Sequence, residues 1–166
     1  QAYNQFISQS VGQKTVVYLE RFYPQLVNEL RTLLAQDPEN PFIIYIVRLI
    51  GPIVKLARDG AVSKFQDIFA ISCQLLQSRD TNIRAEAIRC FALACLYLPK
   101  KKKDVKTKLI NICFRFLVAG FNLLKSEIFD EDSLDHLYEA IYNLIGLVGS
   151  NVEPLIPHEM PKILAD

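Results

Sequence analysis

No tryptophan, one methionine and two histidines occur in 166 residues, and glycine (6) and proline (8) are sparse. There is no G-x-G-x-x-G, P-loop, G-x-S-x-G or H-E-x-x-H, so no catalytic or cofactor-binding constellation presents itself and a non-enzymatic protein without cofactor is expected. The four cysteines, Cys73, Cys90, Cys95 and Cys113, form no C-x-x-C and no Cys/His pair at zinc spacing. They lie in apolar stretches, which makes them small buried hydrophobes in a reducing compartment, cytoplasmic or nuclear. No excess of one charge exists either, with 19 Lys+Arg against 18 Asp+Glu. A general nucleic-acid coat is therefore excluded unless positive charge is concentrated locally. No uninterrupted apolar run approaches the ~18 residues of a membrane span, so none is expected. The start at Gln1 lacks the basic, apolar and small-residue order of a signal peptide, and both ends read as cut from a longer chain.

What the sequence does contain is 51% hydrophobic residues arranged at a period of 3.6, without sustained alternation of strand type. An all-α chain follows. Breaks fall near 12–14, 36–40, 58–63, 78–81, 99–104, 126–132 and 149–154, leaving long helices between connectors short enough to make neighbours antiparallel. One type of helix recurs: Ile46-Val-Arg-Leu-Ile-Gly51 aligns with Ala87-Ile-Arg-Cys-Phe-Ala92 and with Ile141-Tyr-Asn-Leu-Ile-Gly146. A helix pair repeating at intervals averaging in the forties is the spacing of HEAT and armadillo arrays, whose units bury their apolar faces by stacking. The expected architecture is a right-handed α-solenoid. It has full repeats at about 15–58, 62–98 and 104–149 and half repeats at 1–12 and 154–166.

Within Ser78–Ala87, Asp80 or Thr81 is placed to cap a helix, Ile83 and Ala87 to point inward, and Arg84 to reach a neighbouring connector. The small residues Gly51, Ala92 and Gly146 are expected to let adjacent pairs approach closely, and Pro52 to kink its helix.

The matched positions Arg48, Arg89 and Asn143 predict a polar row along one surface, joined by Tyr142, on which an extended or helical protein segment would lie. The same arginines could instead pair with acids of the next repeat. Lys100, Lys101, Lys102 and Lys103 concentrate positive charge in one connector, either as a contact for a polyanion or as a solvated loop. The within-repeat connectors carry the opposite sign, through Asp37, Glu39, Asp80, Glu127, Asp130, Glu131 and Asp132. His136, with Asp132 and Glu139 on one helical face, has the letters of a metal site, but an acid-rich helix start produces them by default, and no metal is expected.

Phe22-Tyr-Pro24, the stretch Gly149-Ser-Asn-Val-Glu-Pro154-Leu-Ile-Pro157-His-Glu-Met-Pro161 and the Ile-x-x-Leu-Ile-Gly element resemble HEAT repeats of the karyopherin-β transport receptors. The resemblance implies a protein-binding scaffold that holds cargo and a small GTPase on inner surfaces and Phe-Gly peptides between outer helices. An assembly or regulatory scaffold of a large complex shares the same elements. A tubulin-binding array fits less well, since those resemble one another in a Trp on within-repeat turns and this chain has none.

Overall fold

The computed structural model describes residues 13–57, 62–97 and 103–152, and every regular element among them is helical. Six α-helices follow one another: α1 (Gln13–Gln36), α2 (Ile43–Ala57), α3 (Phe65–Leu75), α4 (Thr81–Leu96), α5 (Lys103–Ser126) and α6 (Glu131–Val152). The expected half repeats at 1–12 and 154–166 lie outside the described residues, as do Lys100, Lys101 and Lys102. Connectors at 37–42, 76–80 and 127–130 fall at three of the sequence breaks. Their chemistry explains the stops. Asp80 sits extended at the start of α4 and its carboxylate accepts from the amides of Asn82 (2.8 Å) and Ile83 (3.3 Å), satisfying donors that have no partner within the helix. Asp130 does the same for α6, accepting from the Ser133 amide at 2.8 Å.

Each odd-numbered helix packs against the helix that follows it, and α4 packs in addition on α2, α5 and α6. The order of contacts sets the directions. Arg48 and Gly51 of α2 lie beside Glu86 and Arg89 of α4, which in turn lie beside His136 and Glu139 of α6, so these three helices run parallel. Helix α4 is consequently the shared wall of two cores. Ile83, Ala87, Cys90, Leu93 and Ala94 join residues of α1, α2 and α3; Ala85, Ile88, Phe91, Ala92 and Cys95 join residues of α3, α5 and α6. Every residue from Ala85 to Cys95 is buried. A helix apolar on all sides belongs in the centre of a packed structure, and the Ala-rich sequence of α4 lets neighbours approach on each side.

Four phenylalanines lock the second core. Phe91 of α4 stacks on Phe116 of α5 with ring centroids 3.9 Å apart, and Phe69 of α3 lies tilted against both at 5.8 and 6.4 Å. Phe65 closes the group against Phe69 and Phe91. In the first core, buried Tyr23 of α1 reaches Asp67 of α3 through its hydroxyl at 3.2 Å, and Arg31 of α1 pairs with the same carboxylate. Burial, aided by the negative charge of Asp67, pushes the Tyr23 phenol well above its ordinary range, so it stays a donor.

The three small residues do not share one role. Gly51 is a close approach: a Cβ there would meet the Arg89 Nη1 at 3.0 Å and Leu93 Cδ1 at 3.4 Å. Ala92 is fully buried. Gly146, by contrast, has nothing within 4 Å of where its Cβ would lie, which corrects the expectation that it admits a neighbour. Gly120, which the repeat pattern does not single out, is the other tight contact, with Ile141 Cγ1 at 3.1 Å. Gly146→Ala is therefore expected to stabilise the protein by up to about 1 kcal/mol, the helix-propensity difference. Gly120→Ala is expected to destabilise it despite the same gain, because overpacking costs ~1–3 kcal/mol. Urea denaturation of the two variants checks the contrast in sign.

Candidate binding surface and the ion network beneath it

Helices α2 and α6 stand on either side of α4 and meet over it through long side chains. Lys55 Nζ of α2 reaches Glu139 Oε1 of α6 at 3.3 Å, and the Arg48 guanidinium reaches both Asp130 oxygens at 2.7 and 2.8 Å and Ser133 Oγ at 2.8 Å. Beneath this bridge lies the carboxylate of Glu86, 0% exposed. Its Oε1 accepts from Arg48 Nε at 3.3 Å and from the Ser133 hydroxyl at 3.5 Å, and stands 2.6 Å from His136 Nδ1. A carboxylate only accepts, so Nδ1 is the protonated ring nitrogen. Its Oε2 has no hydrogen bond and is 3.7 Å from Arg89 Nη1. Arg89, 7% exposed, also gives Nε to Glu139 at 3.3 Å.

The connectors join this network. Arg84 Nη2 lies 3.2 Å from Glu127 Oε1, and Asn82 Oδ1 accepts from the Asp130 amide at 3.0 Å. Burial opposes ionisation of Asp130, but the Ser133 amide and Arg48 outweigh it and hold its carboxyl below the ordinary range. Burial likewise works against Glu139, and Arg89 and Lys55 reverse it, leaving that carboxyl low as well.

The expected polar row is thus placed differently from the sequence pattern. Arg48 and Arg89 lie on parallel neighbouring helices, yet their guanidinium groups are turned into ion pairs across the helix pairs, the alternative that the sequence leaves open. Arg89 cannot present an open surface at this exposure. Asn143 is half-buried, whereas Tyr142 is 79% exposed. Lys103 is the first residue of α5. His136 is drawn toward Glu86, away from the metal pattern suggested by Asp132 and Glu139, and no group of acids, histidines and cysteines among the described residues has the arrangement of a metal site. Asp130 and Glu127 of the acidic connectors are engaged internally, as is Glu139 within α6.

An apolar surface that sequence reasoning missed lies on the outer flank of α5 and α6. On α6, Ser133, His136 and Glu139 turn to α4 and α2, and Tyr138, Tyr142 and Ile145 are exposed on the opposite flank. On α5, Phe116 turns to Phe69 and Phe91, and Phe114, Val118 and Phe121 are exposed opposite it. The contact of Gly120 with Ile141 and Leu137 sets the register of the two helices. With antiparallel directions, Phe121 comes level with Tyr138, Val118 with Tyr142 and Phe114 with Ile145. Both stripes follow an i, i+4, i+7 spacing, the signal that was present in the sequence but that periodicity alone assigns to core. Lys108–Ser126 is long and apolar enough to cross a membrane by length and composition, although Arg115 and Lys125 interrupt the run; here it packs through Cys113, Phe116 and Gly120.

Comparison with protein-family models, with curated proteins and with solved structures finds no match.

Three outcomes follow from the network. Glu86→Ala is expected to cost on the order of 3–5 kcal/mol, the loss typical of breaking a buried ion pair, because it strips a partner from Arg48, Arg89 and His136 together. Charge reversal of Arg48 and Arg89 to Glu is expected to lower stability sharply for the same reason; urea unfolding measures both. Stability should also fall on the acid side. Asp130 and Glu139 have folded-state values below their ordinary range near pH 4, so their contribution is complete above about pH 5 and is lost as the pH falls through 4 and lower. Thermal melts of Asp130→Asn should begin lower at neutral pH and show a shallower decline below pH 4.

Proposed function

We propose that this chain is a segment of a non-enzymatic, protein-binding helical-repeat scaffold of the HEAT type, acting in the cytoplasm or nucleus. The three helix pairs, with parallel second helices stacked side by side, support the repeat reading, since equivalent helices in such arrays are related by translation along one axis. The single observation that carries the binding function is the exposed apolar flank of α5 and α6. Six large side chains in three level rungs, Phe121 with Tyr138, Val118 with Tyr142 and Phe114 with Ile145, form a surface of the kind that a helical protein segment covers. Tyr142, among the residues taken from the sequence as partner-binding, lies at its centre.

Within that class we favour a nucleocytoplasmic transport receptor, on the resemblance carried by Phe22-Tyr-Pro24 and the Ile-x-x-Leu-Ile-Gly element. The assembly-scaffold reading has an observation of its own. An apolar, aromatic flank suits a permanent neighbour, because obligate interfaces are more hydrophobic than transient ones.

Val118→Asp combined with Tyr142→Asp tests the surface. The exchanged residues are exposed, so thermal stability should change by less than about 1 kcal/mol. Affinity-purified complexes of the full-length protein should lose at least one direct partner relative to wild type, confirmed by reconstitution from purified components. Retention of every direct partner with unchanged affinity overturns the surface assignment. A synthetic Phe-Gly repeat peptide separates the two readings: binding supports transport, and absence of binding alongside loss of a stable partner supports assembly.

A further inference from the structure

The two thiols that the fold brings together are Cys95, at the end of α4, and Cys113, in the middle of α5. Both are buried, and their Sγ atoms are 3.8 Å apart and share a hydrogen bond. They differ in this from Cys90, whose thiol donates to the Val47 carbonyl at 3.6 Å, and from half-buried Cys73, for which no thiol partner is seen among the described residues. We infer that Cys95 and Cys113 are a site of reversible oxidation, at which a hydroperoxide converts the thiol pair to a disulfide joining α4 to α5.

The geometry asks for little movement. A disulfide has sulfurs ~2.05 Å apart, so the two must approach by somewhat under about 2 Å, within reach of side-chain rotation from two helices already in contact. The pair also has unequal members. The hydrogen bond from Cys95 holds Cys113 below the ordinary thiol range against the effect of its burial, whereas burial pushes Cys95 far above it. In the neutral pair the Cys113 thiol donates to Cys95; once Cys113 ionises, the Cys95 thiol is placed to donate to its thiolate, so Cys113 is the attacking sulfur.

Chemically, the Cys113 thiolate attacks one oxygen of the hydroperoxide; an S–O bond forms, the O–O bond breaks, and the departing oxide takes up a proton. Cys113 is then a sulfenic acid, oxidised by two electrons. The Cys95 sulfur attacks Cys113 Sγ, the S–S bond forms, the S–O bond breaks, and the leaving hydroxide takes the Cys95 proton as water. The protein loses two hydrogens and the peroxide is reduced to two molecules of water or to water and an alcohol. Because both sulfurs are buried in the core that also holds Phe91, Phe116 and Leu117, oxidant reaches them only through local opening, and the reaction is slow compared with that of a surface thiol.

The full chain, reduced and then treated with hydrogen peroxide under native conditions, gives the test. Intact mass should fall by two hydrogens, and non-reducing peptide mapping should link the Cys95 and Cys113 peptides. The melting temperature should rise by roughly 5 °C and return on addition of dithiothreitol, since the link restrains the unfolded chain. Cys73→Ala with Cys90→Ala should leave the linkage intact, and Cys95→Ala should abolish it and drive Cys113 to higher oxides. A link from either cysteine to Cys73 or to another chain overturns the assignment. So does native protein whose four thiols remain reduced under oxidant that oxidises them in urea.

Discussion

A single buried carboxylate organises this protein. Removing Glu86 from water is costly unless its charge is met by donors at close range, and no one helix can supply enough of them. Arg48 comes from α2, Arg89 from its own helix, and Ser133 and His136 from α6. The three parallel helices must therefore keep one register for the charge to stay satisfied. A shift of α6 along α4 by a single turn, about 5.4 Å, would remove His136 and Ser133 from Glu86 and Glu139 from Arg89 together. Apolar packing alone would resist such a slip less specifically, because α4 offers alanine and aliphatic side chains on every side and one turn of it resembles the next. The ion network thus supplies a positional specificity that the greasy surface of α4 lacks.

This arrangement explains which parts of the fold were legible beforehand. Helix ends rest on local chemistry, such as the Asp80 carboxylate and the two amides it caps, and local chemistry is written in consecutive letters. The reach of Arg84 to a neighbouring connector was readable for a similar reason, because a basic residue one turn into a helix beside an acidic connector has few other outlets. The pairing of Arg48 with Asp130 spans 82 residues and was not readable. Glu86 itself left a trace, a lone acid between two alanines in an otherwise apolar run, yet the same letters also describe an exposed helix face. The repeat pattern matches Arg48 with Arg89, but a match of letters says nothing about which way a long side chain turns. That choice is set by the partners, and the partners come from distant segments.

The burial of the polar row shifts the chemistry of recognition elsewhere. With Arg48 neutralised by Asp130 and Glu86, and Arg89 by Glu139, the surface over α4 offers no net cationic row to an acidic chain. The unsatisfied area is instead apolar and lies on the opposite flank of α6, one helix face away from the network. The two faces are mechanically connected. Ser133, His136 and Glu139 fix the rotation of α6 about its own axis, and that rotation is what turns Tyr138, Tyr142 and Ile145 outward.

Helix α5 is held by different means. It makes its hold on the core through Phe116 against Phe91, through Gly120 against Ile141 and through the contact of Cys113 with Cys95, and an ion pair to α4 comes just past its end, from Glu127 to Arg84. Apolar contacts specify position through shape, so the tight Gly120 approach and the 3.9 Å ring stack must do for α5 what charge does for α6. The two halves of the exposed flank are thereby fixed by unlike forces: the α6 half weakens as its carboxylates protonate, and the α5 half responds chiefly to volume changes in the core. A covalent link at Cys95 and Cys113 would act on the second half alone, fixing Phe114, Val118 and Phe121 from behind while leaving the ion network over α4 unaltered.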